Sequence, residues 1–197
     1  MTGTWSETRL TQALLVAAGP SSDYDLNPEV APPEAPLRPA GVLAAFAAED
    51  GRLLLTKRAS GLRHHPGQIA LPGGKVDPGD ADAIGAALRE AREEVGLDAA
   101  QVRVLGCLPA HRTVTGFSVT PVVAVIDGPF APRPEAGEVE EAFTLPFSHV
   151  ADPARYRVEQ RRWRGGWRSY HAAPFGPYYL WGATARILLG LARRLAA

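Results

Sequence analysis

The strongest local constraint on the fold lies between Pro72 and Leu97, where a Gly-Gly pair leads into an amphipathic helix. Apolar residues recur at helical spacing from Ile84 to Val95, so this helix should pack one face on a core. Gly96 follows the last periodic residue and is the expected helix end, because glycine tolerates the left-handed conformation. The sequence therefore predicts a tight Gly-Gly turn followed by a helix that lies on another layer.

Three carboxylates, Glu90, Glu93 and Glu94, lie in the final turns of this helix, beside its apolar face. The helix C-terminus already carries partial negative charge, and Glu90 and Glu94 repel each other at the i,i+4 spacing. A bound divalent cation would offset both unfavourable effects, because Mg²⁺ takes carboxylate oxygens together with substrate phosphates. The alternative is a solvated acidic face that Arg89 and Arg92 brace.

The spacing of glycine, arginine and glutamate in this stretch resembles the Nudix box, G-x5-E-x7-R-E-U-x-E-E-x-G-U. The second half matches from Arg89 to Leu97, with Ala91 as the apolar position. The first half departs from the box, because Asp80 stands in place of glutamate and one extra residue separates it from Arg89. This longer spacing resembles the coenzyme A pyrophosphatase branch of the Nudix family.

A second motif of that branch, L-L-T-x-R-[SA]-x3-R-x3-G-x3-F-P-G-G, is matched just upstream, with Leu71 in place of phenylalanine. Agreement at so many positions in one register favours a resemblance to this branch over a chance match. Residues 113–123 and 180–188 are also similar to this branch. The matching residues of the upstream motif are Leu54, Leu55, Thr56, Arg58, Ala59, Arg63, Gly67, Pro72, Gly73 and Gly74.

The resemblance implies an enzyme that splits the diphosphate of coenzyme A or an acyl derivative. The products would be adenosine 3′,5′-bisphosphate and (acyl-)4′-phosphopantetheine, formed by water with the help of Mg²⁺ or Mn²⁺. The same machinery would also fit another nucleoside diphosphate derivative, such as ADP-ribose or a dinucleotide. A nucleotide-sensing domain without catalysis is the alternative of a different class, although a sensor need not keep three glutamates for a metal.

The two motifs imply roles for the charged residues of the helix and of the loop before it. Glu90 and Glu94 are expected to be the main metal ligands, since both point to the same side of the helix. Glu93 is expected to be a further ligand or a catalytic residue. Arg89 is expected to brace the loop and the helix through an ion pair, with Asp80 as its candidate partner.

Substrate contacts are expected from the upstream motif and from one later aromatic residue. Gly73 and Gly74 would let the backbone approach the metal and the phosphates. Arg58 and Arg63 are expected to contact phosphate groups, the alternative being solvated loop charges. Phe117 is expected to stack on adenine or to line a groove for pantetheine. The same role is considered for Tyr178, Tyr179 and Trp181, with a core position as the alternative.

A second acidic group, Glu138, Glu140 and Glu141, lies at the start of an expected strand. Strand alternation puts Glu138 and Glu140 on one face and Glu141 on the other. The resemblance implies a metal ligand or catalytic base outside the box; Glu138 is the first candidate and Glu141 belongs to the same catalytic group. The alternative is a solvated surface carboxylate. The sequence does not choose between Glu93 and this group as the general base.

A chain of 197 residues suits one domain with an accessory segment. Residues 1–39, a short helix and a proline-rich arm, are expected to precede a Nudix hydrolase domain over residues 40–197, so that loss of residues 1–36 leaves the site assembled. Strands with interspersed helices indicate an α/β or α+β sandwich. The resemblance implies the family's α/β/α sandwich with a mixed β-sheet.

Two later patterns complete the expected order of elements. Residues 155–163 and 167–171 are expected to form a hairpin over residues 164–166, because Gly165 and Gly166 favour a turn. Residues 181–195 are expected to form the last helix, with apolar residues on one face.

Composition limits the partners and the compartment. Basic and acidic residues balance at 21 each, so no overall field favours nucleic acid or an anionic membrane. The single Cys107 excludes an intramolecular disulfide, and the apolar residues around it favour a buried small residue over a nucleophile. No signal-peptide pattern opens the chain, and no apolar run reaches about 18 residues. The expectation is a cytoplasmic protein with a small nucleotide substrate, whose assembly into a homodimer the sequence leaves open.

Overall fold

The structure is a computed structural model that describes residues 4–32, 34–163 and 165–197. Within these ranges it contains a large mixed sheet, a small antiparallel sheet, and helices on both faces of the large sheet. The helices are α1 (Glu7–Leu15), α2 (Ala83–Val95), α3 (Phe147–Val150) and α4 (Ala183–Leu195). The strands are β1 (Ser21–Ser22), β2 (Arg38–Ala47), β3 (Leu53–Arg58), β4 (Ile69–Ala70), β5 (Gly73–Lys75), β6 (Val102–Cys107), β7 (His111–Arg112), β8 (Phe117–Ile126), β9 (Val139–Leu145), β10 (Arg157–Trp163), β11 (Gly166–Phe175) and β12 (Tyr178–Trp181).

The large sheet has the strand order β1-β7-β8-β2-β3-β4, and β5, β6 and β9 pair with β2, β8 and β3, respectively. β2 and β8 run parallel over their whole length, from Arg38 opposite Phe117 to Ala47 opposite Ile126. β3 pairs antiparallel with β9, and β6 pairs antiparallel with β8, so the sheet is mixed. The small sheet has the order β10-β11-β12 and is antiparallel.

Alternating side chains of β2 supply both faces of the large sheet. Leu43 and Ala45 pack in one buried cluster with α2, whereas Ala44 and Phe46 pack in a second cluster that contains residues of α1 and α4. This alternation follows from the period of two in a strand. Helices cover both apolar surfaces of the sheet, so the expected α/β/α sandwich with a mixed sheet is confirmed.

The helix α2 ends at the glycine that the sequence predicts. Gly96 has a φ of 72°, and its N–H donates a hydrogen bond to the Arg92 carbonyl oxygen at 2.9 Å. At the other end, the Asp82 side chain accepts hydrogen bonds from the N–H groups of Ile84 and Gly85 at 2.8 and 2.9 Å. Both ends are thus capped, which fixes the position of the glutamates along the helix. No helix in the described ranges is long and apolar enough to span a membrane.

Gly73 and Gly74 lie in β5 rather than in the expected tight turn. β5 pairs antiparallel with β2, with Gly41 opposite Gly74 and Val42 opposite Gly73. A Cβ atom on Gly73 would lie 2.3 Å from the Gly41 carbonyl oxygen, and the φ of Gly73 is 153°. The glycines therefore permit two backbones to approach closely, and the turn interpretation was wrong.

The hairpin of β10 and β11 has a shorter connection than expected. Trp163 lies opposite Gly166, so the connection has two residues, of which Arg164 lies outside the described residues. A shift of one residue changes which side chains lie opposite each other. Arg161 consequently lies opposite Arg168.

Two other expectations fail near strand ends. Trp181 lies in β12, and α4 begins only at Ala183, after Gly182 with a φ of 65°. Cys107 is exposed rather than buried. A bulge between Val104 and Gly106 interrupts the pairing of β6 with β8, and bulges of this kind break the alternation of buried and exposed side chains.

The N-terminal helix is part of the core. Ser6 caps α1 as expected, because its hydroxyl accepts a hydrogen bond from the Arg9 N–H at 3.4 Å. Leu10 of α1 is completely buried and belongs to the same apolar cluster as Leu188 of α4. Removal of residues 1–36 is therefore expected to destabilise the domain, because the deletion would expose to water the apolar residues against which Leu10 packs.

Residues 21–27 connect the two sheets. β1 pairs in parallel with β7 of the large sheet. Asn27, which is 4% exposed, pairs with the backbone of Ser169 in the small sheet: its Nδ2 donates to the carbonyl oxygen, and its Oδ1 accepts from the N–H, both at 2.9 Å. The amide of Asn27 thus replaces a strand partner and fixes the N-terminal arm on β11.

Candidate active site

Three carboxylates converge where α2 meets the start of β9. Oxygen atoms of Glu90, Glu94 and Glu138 lie within 4.8 Å of one another. Glu90 and Glu94 are one turn apart on α2, so their side chains point to the same side. The end of β3 holds Glu138 beside them, since the Glu138 carbonyl oxygen accepts a hydrogen bond from the Ala59 N–H at 2.8 Å. We call these three residues the acidic cluster.

Burial determines the electrostatics of the acidic cluster. Glu94 is 4% exposed, and its burial, followed by the charge of Glu90, raises its pKa to about 7. Burial also raises the pKa of Glu90. The Gly73 N–H donates a hydrogen bond to Glu94 Oε2 at 3.3 Å, and this bond lowers the Glu94 pKa, against the effect of burial. Without a cation, ionisation of both glutamates is unfavourable.

The acidic cluster and its surroundings fit a divalent cation. All three groups offer carboxylate oxygens, which are the ligands that Mg²⁺ and Mn²⁺ prefer. A Cβ atom on Gly74 would lie 2.3 Å from Glu90 Oε1, so glycine is required for the backbone to pass this close to the carboxylate. A bound cation would offset the crowded negative charge; Glu90 and Glu94 are the residues that would hold it, and Glu138 lies beside them.

Arg89 links the loop before α2 to the helix. Its Nε and Nη2 donate to the two oxygens of Asp80, both at 3.0 Å, and its Nη1 donates to Glu90 and Glu93 at 3.0 and 2.9 Å. The hydrogen bonds from Arg89 lower the pKa of Asp80. Nη2 also donates to the Lys75 carbonyl oxygen at 3.2 Å, so one guanidinium joins β5, the loop and α2.

A cavity of about 510 Å³ lies beside the acidic cluster. It is lined by residues of the large sheet, the small sheet, residues 22–27 and the start of α4, and it has the size of a small-molecule site. Gly73 and Gly74 line the cavity and also lie against Glu94 and Glu90, so the cavity and the acidic cluster adjoin at these two glycines. The aromatic and basic side chains in its wall belong to His65, Lys75, Phe117, Arg161, Arg168, Tyr170, His171, Trp181 and Arg186.

Comparison with known proteins identifies the family. A family model described as the NUDIX domain matches residues 37–164, which are more than half of the chain. The chain belongs to the Nudix family. The match begins at the start of β2 and ends in the hairpin of the small sheet, so it includes the acidic cluster and much of the cavity wall.

Relatives of this Nudix chain include bacterial proteins described as "Uncharacterized Nudix hydrolase NudL". The one from Enterobacter sp. (strain 638) is 43% identical over 147 residues, which cover 75% of this chain and 77% of the relative. The one from Salmonella paratyphi B is 43% identical over 143 residues, covering 73% and 74%. A MutT/nudix family protein from Enterococcus faecalis has a TM-score of 0.52 at 15% identity, covering 85% of this chain and 64% of that one, which supports the fold alone.

The candidates for the catalytic residue occupy different surroundings in this Nudix domain. Glu138 lies in the acidic cluster, whereas Glu93 is bound by Arg89 and does not join that cluster. Glu141 accepts a hydrogen bond from the Tyr178 hydroxyl at 2.5 Å. The general base remains a prediction for all three, but of these three only Glu138 forms a group with the two candidate metal ligands on α2.

Strand alternation did not predict where the carboxylates of the second acidic group lie. The register of β3 with β9 shifts between Lys57 and Arg58, so that Lys57 lies opposite Glu141 and Arg58 lies opposite Val139. Glu140 falls at this irregularity, and its carboxylate accepts a hydrogen bond from Lys57 Nζ at 2.6 Å. The bulge therefore separates the side chains of Glu138 and Glu140, which simple alternation would put on one face.

The two arginines of the upstream motif differ in exposure. Arg58 ends β3 beside the acidic cluster, and its charge acts against the burial that raises the Glu94 pKa. Its buried Nε has no hydrogen-bond partner in the described part of the chain. Arg63 is exposed in the loop between β3 and β4. An unsatisfied buried donor next to a carboxylate cluster is suited to a phosphate oxygen.

The aromatic candidates divide into two groups. Phe117 and Trp181 line the cavity, with the guanidinium groups of Arg38 and Arg161 over their rings at 4.0 and 4.1 Å, respectively. Tyr178 instead stacks on Phe143 with 3.6 Å between ring centroids. Tyr179 donates a hydrogen bond to Glu159. The expected role in substrate binding therefore stays with Phe117 and Trp181.

Several cavity residues were not anticipated from the sequence. Arg161 and Arg168 come from the small sheet, His65 from the loop between β3 and β4, and Asp23 and Asn27 from the N-terminal arm. His65 stands at an undefined position of the upstream motif, and the other four residues lie outside both motifs. The pairing of Arg161 with Arg168 follows from the two-residue hairpin connection, so a correct turn assignment was the signal that would have revealed it.

Proposed function

We propose that this Nudix hydrolase splits the diphosphate of coenzyme A or an acyl-coenzyme A. The family acts on a nucleoside diphosphate linked to a second group, and coenzyme A is one such compound. The main support is the position of the upstream motif, which resembles the coenzyme A pyrophosphatase branch. Its arginine Arg58 lies by the acidic cluster, and its glycines Gly73 and Gly74 line both the cluster and the cavity.

The proposed cofactor is Mg²⁺ or Mn²⁺, held by Glu90 and Glu94. When bound, such an ion neutralises charge on the diphosphate and lowers the pKa of water. The protein supplies a rigid frame for this site, since Arg89 joins the middle of α2 to β5 and Gly74 leaves room for the Glu90 carboxylate. Glu93 supports the frame through Arg89 in this proposal.

Phosphate positioning is assigned to the upstream motif. The buried Nε of Arg58 is a donor available to a nonbridging phosphate oxygen, and the exposed Arg63 would add a second guanidinium from the adjoining loop. The nucleotide would lie in the cavity, where Phe117 and Trp181 offer aromatic surfaces. These contacts would hold the diphosphate against the acidic cluster in an orientation suited to attack.

Proton transfer is assigned to Glu138. A water oxygen forms a bond to one phosphorus, the bond from that phosphorus to the bridging oxygen breaks, and the second phosphate leaves with the bridging oxygen. Glu138 takes the proton from the attacking water, because it is the exposed member of the acidic cluster and has room for a water beside it. Glu141 is committed to Tyr178 and is assigned no proton transfer here.

The test compares kcat/KM for coenzyme A and ADP-ribose under the same Mg²⁺ or Mn²⁺ concentration, with mass analysis of the products. We expect coenzyme A to be preferred and to yield adenosine 3′,5′-bisphosphate and 4′-phosphopantetheine. A preference for ADP-ribose of about tenfold or more, which corresponds to about 1.4 kcal/mol of barrier, would overturn the coenzyme A proposal. Turnover of neither compound nor of a dinucleotide would instead favour a nucleotide-sensing domain.

A further inference from the structure

His65 has a backbone conformation that residues other than glycine rarely adopt. Its φ is 55°, and in the described ranges it is the only residue besides glycines with a positive φ. This left-handed conformation is unfavourable for a residue with a Cβ atom, although histidine tolerates it better than most residues do. Such positions concentrate at active sites and ligand-binding sites. His65 is therefore a candidate for a function that a glycine at the same turn would not perform.

Backbone hydrogen bonds hold His65 beside the end of β3. The His65 carbonyl oxygen accepts a hydrogen bond from the Gln68 N–H at 3.2 Å, and the Gln68 carbonyl oxygen accepts one from the Arg58 N–H at 3.0 Å. The Gly67 N–H donates in turn to the Arg58 carbonyl oxygen at 3.0 Å. The turn that begins at His65 is thus attached to Arg58, which lies by the acidic cluster.

The imidazole of His65 lies in the wall of the cavity. Partial burial lowers its pKa, and the charges of Arg58, His64 and Arg161 lower it further, whereas the charge of Asp23 raises it. The lowered pKa leaves the ring neutral at pH 7. A neutral imidazole has one N–H donor and one acceptor nitrogen, so it offers a ligand oxygen one hydrogen bond.

The charged groups near His65 indicate where an anionic ligand group fits. Asp23 is the acidic residue of the cavity wall, and its carboxylate is attached to β7 and to the turn after it. Its Oδ1 lies 3.0 Å from His111 Nε2, and its Oδ2 accepts a hydrogen bond from the Val114 N–H at 2.9 Å. A phosphate is unfavourable against this carboxylate, whereas the buried Nε of Arg58 is a donor available to it. A phosphate in contact with His65 is therefore expected toward Arg58 rather than toward Asp23.

We infer that His65 binds the substrate by donating a hydrogen bond from its imidazole to a nonbridging oxygen of the diphosphate, beside Arg58. This inference rests on the proposed function and adds a substrate contact to it. Hydrogen bonds to an ionised phosphate are shorter and stronger than those between neutral groups. The left-handed backbone at His65 then serves to present the ring to the cavity, which a glycine could not do.

The experiment separates the side chain of His65 from its backbone conformation. His65→Gly removes the imidazole and relieves the backbone, whereas His65→Ala removes the imidazole and keeps the unfavourable conformation. At a fixed Mg²⁺ concentration, we expect kcat/KM for coenzyme A to fall about tenfold or more in both variants. The melting temperature of His65→Gly should nevertheless exceed that of His65→Ala by a few degrees.

His64→Ala is the matched control, because His64 is the neighbouring exposed histidine and does not line the cavity. Its kcat/KM should stay within about twofold of the unchanged protein. Full activity of His65→Gly, with a loss only in His65→Ala, would overturn the inference, because the turn conformation alone would then matter.

Dephospho-coenzyme A provides a second measurement, since it carries the same diphosphate and lacks only the 3′-phosphate. Each His65 variant should lose the same factor in kcat/KM on this compound as on coenzyme A. A loss confined to coenzyme A would place the contact on another part of the substrate and would overturn the inference.

The proposed function and the His65 contact fail in different ways. If the unchanged protein prefers another nucleoside diphosphate derivative, the coenzyme A specificity is wrong, and equal losses of the two His65 variants on that compound would still support the contact. Full activity of His65→Gly on that compound would overturn the contact as well. Turnover of no diphosphate compound by the unchanged protein would overturn both.

Discussion

The acidic cluster and the two arginines Arg161 and Arg168, which lie opposite each other in the small sheet, both place like charges close together, but the two regions respond differently to pH. In the acidic cluster, burial raises the pKa values of Glu90 and Glu94, so proton uptake removes part of the repulsion. Arginine stays charged at all ordinary pH values, so Arg161 and Arg168 do not lose their charges by titration. The comparison indicates that ligand binding at the acidic cluster should depend on the pKa values of its glutamates, whereas the charges of Arg161 and Arg168 do not change over the same pH range.

The largest effect is expected for Glu94→Gln, which alters only the acidic side of this comparison. The substitution keeps the size of the side chain and removes a proposed metal ligand, so kcat should fall on the order of 100-fold or more, about 2.7 kcal/mol of barrier. Steady-state kinetics over a range of Mg²⁺ concentrations would measure this loss. Near-normal turnover at low metal concentration would show that Glu94 does not hold the cation.

The same variant also has an expected signature in EDTA. The folded protein keeps a proton on Glu94 up to about pH 7, whereas the unfolded chain releases it near pH 4.5. The folded state therefore binds more protons in this window, and the contribution of Glu94 to stability falls as pH rises through it. Thermal melts in EDTA should show that the stability of Glu94→Gln relative to the unchanged protein is greater at pH 8 than at pH 5.

A large effect is also expected for Glu138→Gln, because a general base accounts for a rate factor on the order of 100 or more. Glu93→Gln is the comparison variant, since Glu93 contacts Arg89 and lies outside the acidic cluster. We expect kcat to fall much less for Glu93→Gln than for Glu138→Gln, with the acidic limb of the pH–rate profile altered only in the latter. The reverse order of effects would assign the base to Glu93.

An intermediate effect is expected for Gly74→Ala. The added Cβ would lie 2.3 Å from Glu90 Oε1, so the carboxylate must move away from its position in the cluster. We expect kcat to fall about tenfold, since misplaced groups lose orientation. Gly79→Ala is the matched control, because no atom lies within 4 Å of a Cβ there. Similar kinetics for both variants would contradict the close packing of backbone and carboxylate.

A smaller and selective effect is expected for Asn27→Ala, which alters only the arginine side. Loss of two hydrogen bonds to Ser169 should loosen the strand that carries Arg168 and raise KM for coenzyme A by about threefold to tenfold, the loss expected for one or two hydrogen bonds. The value of kcat should hardly change. Gln160→Ala is the control, because its exposed hydrogen bond reaches only the Ser169 hydroxyl. A fall in kcat without a rise in KM would show that the two sides are not separate.

The smallest effect is expected for Cys107→Ser, outside both regions. Cys107 is exposed on β6 and lines neither the cavity nor the acidic cluster. Turnover should stay within about twofold, the range of ordinary surface substitutions. Activity measured before and after treatment with a thiol-modifying reagent gives a second check. A large loss of turnover in either experiment would favour the alternative that Cys107 is a nucleophile.

Local sequence determined the parts of this protein whose geometry depends on residues close together in the chain. The end of α2 at Gly96 and the common side of Glu90 and Glu94 follow from glycine conformation and the helical period. The pairing of Arg89 with Asp80 spans only one loop, and the structure contains it despite the extra residue. These features require no knowledge of distant strands.

Tertiary structure decided which distant groups meet. Glu138 joins Glu90 and Glu94 because β3 and β9 pair with an irregular register, and Arg161 meets Arg168 because the hairpin connection has two residues. A shift of one residue in either register would change the contacts, and local propensity does not determine register that finely. The burial that raises the Glu94 pKa likewise arises from packing of α2 on the sheet, which no spacing within the helix reveals.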